Sequence, residues 1–527
     1  MNHLNRRTFL EFLGFGAASV LAGGCFPNHK EKQTEKALLK SLSPSAADQL
    51  ELAEGLHYEV LVKWDDPISA NAHFGFNNDY LAFLPLDKNN PDEGLLWANH
   101  EYVDPMFVSG YFEKNSANKT QDQVDKEMQA VGGSILHVKK TNGRWRVVKN
   151  DALNRRLDGF TEIPFNWPEP IAGSLSAIGT LANCAGGVTP WGTILTCEEN
   201  YDLFYGERDF ATGNRTIPEK DYGWYRFYDY PPEHYGWVVE VNPKTGEAKK
   251  HVALGRCAHE CATVKQLPDG RIVVYTGDDS NDECLYKFIS SQPGSLSEGT
   301  LYVANTTQGK WISLKYEDQP VLQQHFKNQT EVLIRLREAA KLVGATPLDR
   351  PEDIEISPVN GEVLVALTNN IPKGNYVGSI LKITEKDGRH DALEFSADTY
   401  LTGGEEMGFA SPDNMAFDGN GNLWFTCDVS GSSMNNPEVP EYLPYKNNSL
   451  FVVLNDGPQK GEVIRMANAP VNAEFTGPFF APDGKTLFLS VQHPGEYSDH
   501  VEQPKSHWPE GGGAMPRPSV VVIYGWS

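Results

Sequence analysis

The chain has 527 residues and a formal net charge of −24 at pH 7, with 46 Lys and Arg residues against 70 Asp and Glu residues. That length holds several domains or one large repetitive architecture, and the acidic balance argues against a nucleic-acid-binding surface, which needs clustered basic side chains. The 48 glycines, 34 prolines and 11% of aromatic residues favour a loop-rich β protein over a helical one.

The first 25 residues predict an export signal. The stretch NRRTFLEF is followed by LGFGAASVLAGGC, so paired arginines precede a short apolar region and small residues. This pattern resembles a twin-arginine signal and is too short and glycine-rich to favour a permanent membrane span. It implies delivery by the twin-arginine translocation machinery to the periplasm, the cell surface or the medium.

The end of this signal raises a second question, that of a lipid anchor. LAGGC resembles a lipobox in which Cys25 would be acylated, but Ala22 stands where leucine is usual, so lipidation stays open. The polar residues 26–47 are predicted to form a tether. Residues 48–527 are then the folded domain.

Six copies of one hairpin pattern follow along the chain. In each copy a small polar cluster precedes a strand, a turn rich in Gly, Asp or Asn, and a second apolar strand that ends in polar residues. The copies span residues 76–102, 183–201, 259–279, 350–370, 411–431 and 475–495. Six such units predict an all-β fold, a six-bladed β-propeller with loop and short helical insertions.

Two insertions have patterns of their own. Residues 330–344 carry apolar side chains at helical spacing and predict a helix that stops at Gly344. Residues 201–237 are rich in Tyr, Trp and Phe. The favoured interpretation is a long loop packed on the propeller, and the alternative is a lid that gates a substrate site.

The polar groups that flank the hairpins predict a metal site. Because the inner strands of a propeller surround one channel, these groups can converge at a single mouth. They are Cys184, Glu198, Glu199, His259, Glu260, Asp278, Asp279, Glu352, Asp353 and Asp413. A carboxylate at a strand end is usually solvated, but four of the hairpins repeat it at the same place. Carboxylate rings suit calcium, and a thiolate favours a softer metal such as iron, copper or zinc.

The cysteines leave their pairing open. Of the seven, Cys25 belongs to the signal, which leaves six for an oxidising compartment. Cys257 and Cys261 would lie roughly 13 Å apart in an extended segment, beyond disulfide reach. If Cys184 is a ligand, five remain and at least one stays free.

The motif RPED adds an arginine to this mouth. Arg350 lies two residues before Glu352. A guanidinium does not ligate metals, but it binds an oxyanion with two hydrogen bonds, as in phosphate recognition. The plainer interpretation is a structural ion pair with Asp349, Glu352 or Asp353. Metal ions beside an arginine are the arrangement that phosphoryl transfer needs.

At this point the sequence resembles a known family. NCAGGVTPWGTILTCEEN, the His-Glu pair of GRCAHECATV, YTGDD, RPED and SPDN, in this order behind a twin-arginine signal, are similar to the PhoX-type alkaline phosphatases from about residue 50 to the C-terminus. The resemblance implies a monomeric, exported six-bladed propeller that hydrolyses phosphomonoesters. It also implies an iron pair, calcium ions (the cofactors Fe3+ and Ca2+) and a bridging oxo group.

The resemblance also implies roles for single residues. By motif position Cys184 is the iron-ligating thiolate and Arg350 the phosphate clamp, both part of the catalytic site. The carboxylate ligands would be Glu199, Glu260, Asp279, Glu352 and Asp413. Glu198 and Asp278 are neighbours that the motifs do not separate from the ligands, and His259 is expected to support or pack rather than to ligate. Cys257 and Cys261, which flank the His-Glu pair, depart from the family pattern.

Two other classes of protein fit parts of the pattern. One is a calcium-dependent lactonase or esterase of six-bladed propeller type, and the other is a calcium-stabilised binding propeller without catalysis. A lactonase site needs a single catalytic calcium and no thiolate, so Cys184 and Arg350 argue against it. A binding propeller has no need of a thiol in a metal site.

Overall fold

The computed structural model describes residues 38–218 and 220–525. The chain divides into two units, residues 1–39 and 40–527, and every helix and strand of the described residues belongs to the second. The predicted export signal and lipobox at residues 1–25 lie outside the described residues. Within the described ranges, no helix is both long enough and apolar enough to cross a bilayer.

Six antiparallel sheets of four or five strands form the propeller that the sequence predicts. The innermost strands of successive blades contact one another in chain order, and the innermost strand of the last blade contacts that of the first. Each predicted hairpin supplies the two inner strands of one blade. The six-bladed architecture is therefore confirmed.

Consecutive segments of the chain form the first three blades, from the innermost strand outwards. Blade 1 contains Asn78–Asp87, Asn90–His100, Gly132–Thr141 and Arg144–Val147, with Arg155–Leu157 also paired to its third strand. Blade 2 contains Asn183–Val188, Ile194–Glu198, Val238–Val241 and Ala248–His251. Blade 3 contains Thr263–Gln266, Ile272–Gly277, Leu285–Ser290, Gly299–Asn305 and Lys310–Ser313.

The remaining three blades follow the same order. Blade 4 contains Pro351–Ile356, Val363–Leu367, Ser379–Glu385 and Phe395–Thr402. Blade 5 contains Pro412–Phe417, Leu423–Cys427, Ser449–Val453, Val463–Asn468 and Glu51–Leu52. Blade 6 contains Glu474–Phe480, Thr486–Gln492, Ser519–Tyr524 and His57–Lys63.

The N-terminal segment of the propeller closes the ring. Strand His57–Lys63 pairs with Ser519–Tyr524, so both ends of the domain share blade 6. Residues 41–47, which the sequence assigned to the tether, lie along blade 5, where Leu42 N donates a hydrogen bond to Arg465 O at 3.0 Å. These residues therefore belong to the same compact unit as the blades.

Short helices and ribbons connect the blades. The helices are Pro105–Val108, Gln121–Ala130, Asp202–Tyr205, Pro320–His325, Gln329–Ile334 and Leu336–Leu342. The two-stranded ribbons are Pro67–Ser69 with Ala72–His73, Glu162–Pro164 with Ser176–Ile178, Glu207–Arg208 with Arg215–Thr216, and Asn281–Glu283 with Leu348–Asp349. The single helix predicted over residues 330–344 is wrong in one respect, because Arg335 leaves helical geometry with φ −103° and ψ 45° and divides it.

The aromatic insertion is mostly core. Phe204, Tyr205 and Trp224 are buried in one cluster with Val124 and Met128 of the helix Gln121–Ala130. This burial supports the packed-loop interpretation of residues 201–237, since rings that fill a core are not free to swing as a lid.

Candidate metal centre

A β-bulge at the start of the inner strand aims one side chain of a blade at the channel mouth. In four blades the pairing register shifts directly after the first residue of this strand, which leaves two residues bulged. The first bulged residues are Asp79, Cys184, Glu352 and Asp413. In blade 3, Glu260 follows the isolated bridge between His259 and Asp278. Because a bulge redirects a side chain, the repeated hairpins bring these residues to one place.

A left-handed residue precedes four of these bulges. Asn77, Ala182, Arg350 and Ser411 have φ of 39°, 52°, 53° and 51°, and each lies two residues before the bulged side chain. Non-glycine residues adopt this region rarely. Its repetition in four blades indicates that the tight turn is part of how the mouth is built, and Arg350 occupies that turn in blade 4.

The second strand of the hairpin supplies another side chain to the same mouth. In each hairpin, one residue of the second strand pairs with the start of the inner strand. The residue that follows it is Glu101 in blade 1, Glu199 in blade 2, Asp279 in blade 3 and Asp428 in blade 5. Blade 4 has Thr368 there, and its hydroxyl donates to Glu352 Oε1 at 2.8 Å.

Seven of these residues form a continuous group, which we call the mouth cluster: Asp79, Glu101, Cys184, Glu199, Glu260, Asp279 and Glu352. The cluster contains three sets of three side chains. Within each set, every side chain offers one ligand atom, and the three atoms lie within 4.8 Å of one another. The sets are Asp79, Glu101 and Cys184; Cys184, Glu199 and Glu260; and Glu260, Asp279 and Glu352. Five of the six predicted ligands are therefore brought together, and Cys184 and Glu260 link the three sets.

Asp413, the sixth predicted ligand, lies beside the cluster and is tied to it by Asn414. The Asn414 amide Nδ2 lies 3.0 Å from Asp413 Oδ1 and 3.4 Å from Glu260 Oε1. Its Oδ1 accepts a hydrogen bond from Gly477 N at 2.7 Å. Asn414 thus joins blades 3, 5 and 6 beneath the mouth.

Sequence reasoning missed Asp79 and Glu101, although the repeats contain the signal. Asp79 in FNNDY stands where Cys184 stands in LANCA, and Glu101 in NHEY stands where Glu199 stands in CEENY. A residue-by-residue alignment of the six hairpins predicts both. Blade 6 offers no ligand at the corresponding position, because its bulge carries Gly477.

The mouth cluster buries like charges together. Burial, followed by the charges of Glu101 and Asp413, raises the pKa of Asp79 well above its usual range. Burial raises the pKa of Glu101 to about 7 and that of the adjacent Asp413 to about 8. Asp79 Oδ1 and Glu260 Oε2 are buried and have no hydrogen-bond partner among the described residues. Orphaned carboxylate oxygens in a field of like charge fit a site that binds cations.

Cys184 lies at the centre of this field. Its Sγ is 3.3 Å from Glu260 Oε1 and 3.6 Å from Asp79 Oδ2. Burial, then the charges of Asp79 and Glu260, raises the pKa of the thiol well above its usual range. The protein environment alone therefore disfavours deprotonation of the Cys184 thiol, whereas a bound cation stabilises the thiolate. All six described cysteines are free, and Cys197 is buried in the core of blade 2.

Arg350 borders the cluster. Its Nε and Nη2 lie 2.8 and 2.9 Å from the two Asp279 oxygens, and Nη2 lies 2.8 Å from Glu352 Oε1 and 3.3 Å from Asp428 Oδ2. Although burial acts in the opposite direction, this guanidinium holds the pKa of Asp279 below its usual value. Of the three partners expected for a purely structural arginine, only Glu352 is in this set.

The sequence neighbours of the ligands face away from the mouth. Glu198 accepts from Lys250 Nζ at 2.6 Å, and Asp278 accepts from Arg337 Nη2 at 2.6 Å. His259 has both ring nitrogens within hydrogen-bond distance of protein oxygens, at 2.9 and 2.8 Å. These three side chains support the walls, which is the role expected for His259.

A propeller whose mouth joins a thiol, buried carboxylates and an arginine has the fold and donor set of a metal-dependent hydrolase. The family model for alkaline phosphatase PhoX matches residues 37–495. The chain therefore belongs to the PhoX alkaline phosphatase family, and it is a metal-dependent hydrolase of phosphomonoesters.

One solved structure agrees with this assignment. Pseudomonas fluorescens PhoX, in complex with the transition-state analogue vanadate, is 29% identical with a TM-score of 0.81, and the match covers 92% of this chain and 98% of that one. Two further structures are far less similar. A Dyadobacter fermentans protein of unknown function is 10% identical with a TM-score of 0.41, and the match covers 89% of this chain and 100% of that one. A Xanthomonas campestris gluconolactonase is 10% identical with a TM-score of 0.36, and the match covers 92% of this chain and 97% of that one. No curated protein matches the chain.

Proposed function

We propose that this protein is an exported alkaline phosphatase that binds calcium and iron ions in the mouth cluster and holds the phosphoryl group with Arg350. The observation that carries the proposal is the row of three ligand sets with an arginine at its edge. Cys184 joins the first set to the second, and Glu260 joins the second to the third. The vanadate complex of the similar Pseudomonas fluorescens protein supports it, because vanadate mimics a phosphoryl group in transfer.

The ligand sets differ in chemical character. Glu260, Asp279 and Glu352 offer only carboxylate oxygens and suit Ca2+. The two sets that contain Cys184 combine a thiolate with carboxylates and suit iron, as Fe3+. Bound metal ions would neutralise the phosphoryl oxygens and activate an oxygen nucleophile.

The side chains of the protein have tasks of their own. The mouth carboxylates repel a phosphate unless cations offset them, so an anionic substrate depends on Arg350 and on the bound metals to enter. The guanidinium of Arg350 forms ion pairs with three carboxylates. Two of them belong to Asp279 and Glu352, which are proposed metal ligands. A phosphoryl group can take their place on the guanidinium, because it offers the same bidentate geometry. Cys184 contributes as a ligand rather than as a nucleophile.

Export and assembly complete the proposal. The twin-arginine pattern supports export of the folded, metal-loaded protein to the periplasm, the cell surface or the medium. The family resemblance supports a monomer. A lipid on Cys25 would anchor it.

Removal of calcium tests the proposal. A chelator should abolish phosphate release from a chromogenic monoester, and calcium should restore it, while magnesium should not because it prefers smaller octahedral sites. Metal analysis of protein matured in its native host should show iron together with calcium, whereas a lactonase needs calcium alone. Full activity in excess chelator, with calcium verified absent, contradicts the proposal.

A further inference from the structure

Tyr497 is a strained and exposed aromatic residue in the loop that follows the inner hairpin of blade 6. Its side chain is 44% exposed and its backbone φ is 57°. Among the exposed large apolar side chains of the described chain, it alone lies in the left-handed region. A bulky residue there is an outlier, and such outliers cluster at functional sites.

The strain in this loop is imposed by its anchors. Gly495 N donates to Val471 O at 2.9 Å, and the Asn472 side chain donates to Glu496 O at 2.7 Å. Tyr102 OH donates to Glu496 Oε1 at 2.8 Å. The backbone next to Tyr497 is therefore fixed on two neighbouring segments. The turn that builds the mouth does not explain this conformation, since no bulged ligand follows Tyr497.

The ring borders the loop that carries one partner of the arginine. A Cβ atom on Gly431 would lie 3.3 Å from Tyr497 Cδ2, so the ring borders the segment that follows Asp428. Asp428 in turn contacts the Arg350 guanidinium at 3.3 Å. Partial burial, then the charges of Glu496 and Asp428, raises the pKa of the Tyr497 phenol to about 12, so the ring stays neutral in this acidic surrounding.

We propose that Tyr497 determines substrate specificity, because its ring stacks on the aromatic or heteroaromatic leaving group of a phosphomonoester held at Arg350. The inference rests on the proposed function of that arginine. A planar leaving group gains from a fixed aromatic face, whereas an alkyl chain gains much less. The favoured substrates are thus aryl and nucleoside phosphates.

Kinetics with two esters test this assignment. Tyr497→Ala should raise the KM for 4-nitrophenyl phosphate about fivefold, while the KM for glycerol 3-phosphate and inhibition by inorganic phosphate stay unchanged. Tyr497→Phe should behave as the wild type, because the ring and not the hydroxyl is used. Tyr400→Ala, which removes an exposed tyrosine from the outer strand of blade 4, is the matched control and should change neither KM.

A glycine variant separates specificity from structure. Tyr497→Gly should raise the melting temperature above that of Tyr497→Ala, because glycine adopts φ 57° without strain, and it should still show the raised KM for the aryl ester. An unchanged KM for the aryl ester in Tyr497→Ala, or equal changes for both esters, overturns the inference. A wild-type protein that hydrolyses neither ester overturns the proposed function and the inference with it.

Discussion

The blades and the mouth bury charge in opposite ways. In the blades, Lys250 Nζ lies 2.6 Å from Glu198 Oε1 and Lys287 Nζ lies 2.9 Å from Glu385 Oε1, and all four side chains are at most 1% exposed. Within the described mouth, Arg350 is the one guanidinium or ammonium group that pairs with the clustered carboxylates. The blades therefore balance their charges internally, whereas the mouth leaves its charge for cations and substrate from solution.

The largest expected effect comes from replacing Arg350, the one cationic side chain paired with the clustered carboxylates of the described mouth. Arg350→Ala should lower the rate of phosphomonoester hydrolysis by about a thousandfold, as for other arginines that stabilise phosphoryl transfer. Metal content should stay near the wild-type level, because a guanidinium is not a ligand. Arg350→Lys should recover little, since a point charge does not replace the fork. A near-normal rate in Arg350→Ala would reduce this residue to a structural ion pair.

The next effect concerns stability and tests the balance in the blades. Lys250→Met leaves the Glu198 charge buried without a partner and should cost about 3–5 kcal/mol of unfolding free energy. The double variant with Glu198→Gln should recover most of this loss, because it removes the orphaned charge. Urea unfolding of metal-free protein measures both.

The matched change in the mouth should have the opposite sign. Asp79→Asn in metal-free protein should stabilise it above pH 4, because the folded-state pKa of Asp79 is raised. The proton that the folded state binds contributes fully below the unfolded pKa of about 3.9 and is lost as pH rises through the folded pKa. If Asp79→Asn destabilises the metal-free protein as Lys250→Met does, the two regions do not differ as described.

The fold was predictable where the signal is local. Each hairpin carries its own turn residues and strand pattern. The polar ends include Cys184, Glu199, Glu260, Asp279 and Glu352 among ten candidates, and the family resemblance selected these as ligands. Asp79 and Glu101 follow from the same pattern once the repeats are aligned.

Other features depend on tertiary structure. The pairing of His57–Lys63 with Ser519–Tyr524 joins segments at opposite ends of the domain, so no short stretch encodes it. The helix break at Arg335 overrides a continuous apolar pattern. The left-handed backbone of Tyr497 results from anchors on neighbouring loops.

The measurement that tests the central claim most directly is the iron content of Cys184→Ser. Serine keeps the volume and removes the soft ligand, so the variant should fold and export normally but lose iron, any visible absorption from thiolate to iron, and most of its activity. Cys197→Ser, in the core of the same hairpin, should keep its iron. Full iron and full activity in Cys184→Ser would show that this thiol is an ordinary cysteine and would contradict the account of the mouth as an iron-binding phosphatase site.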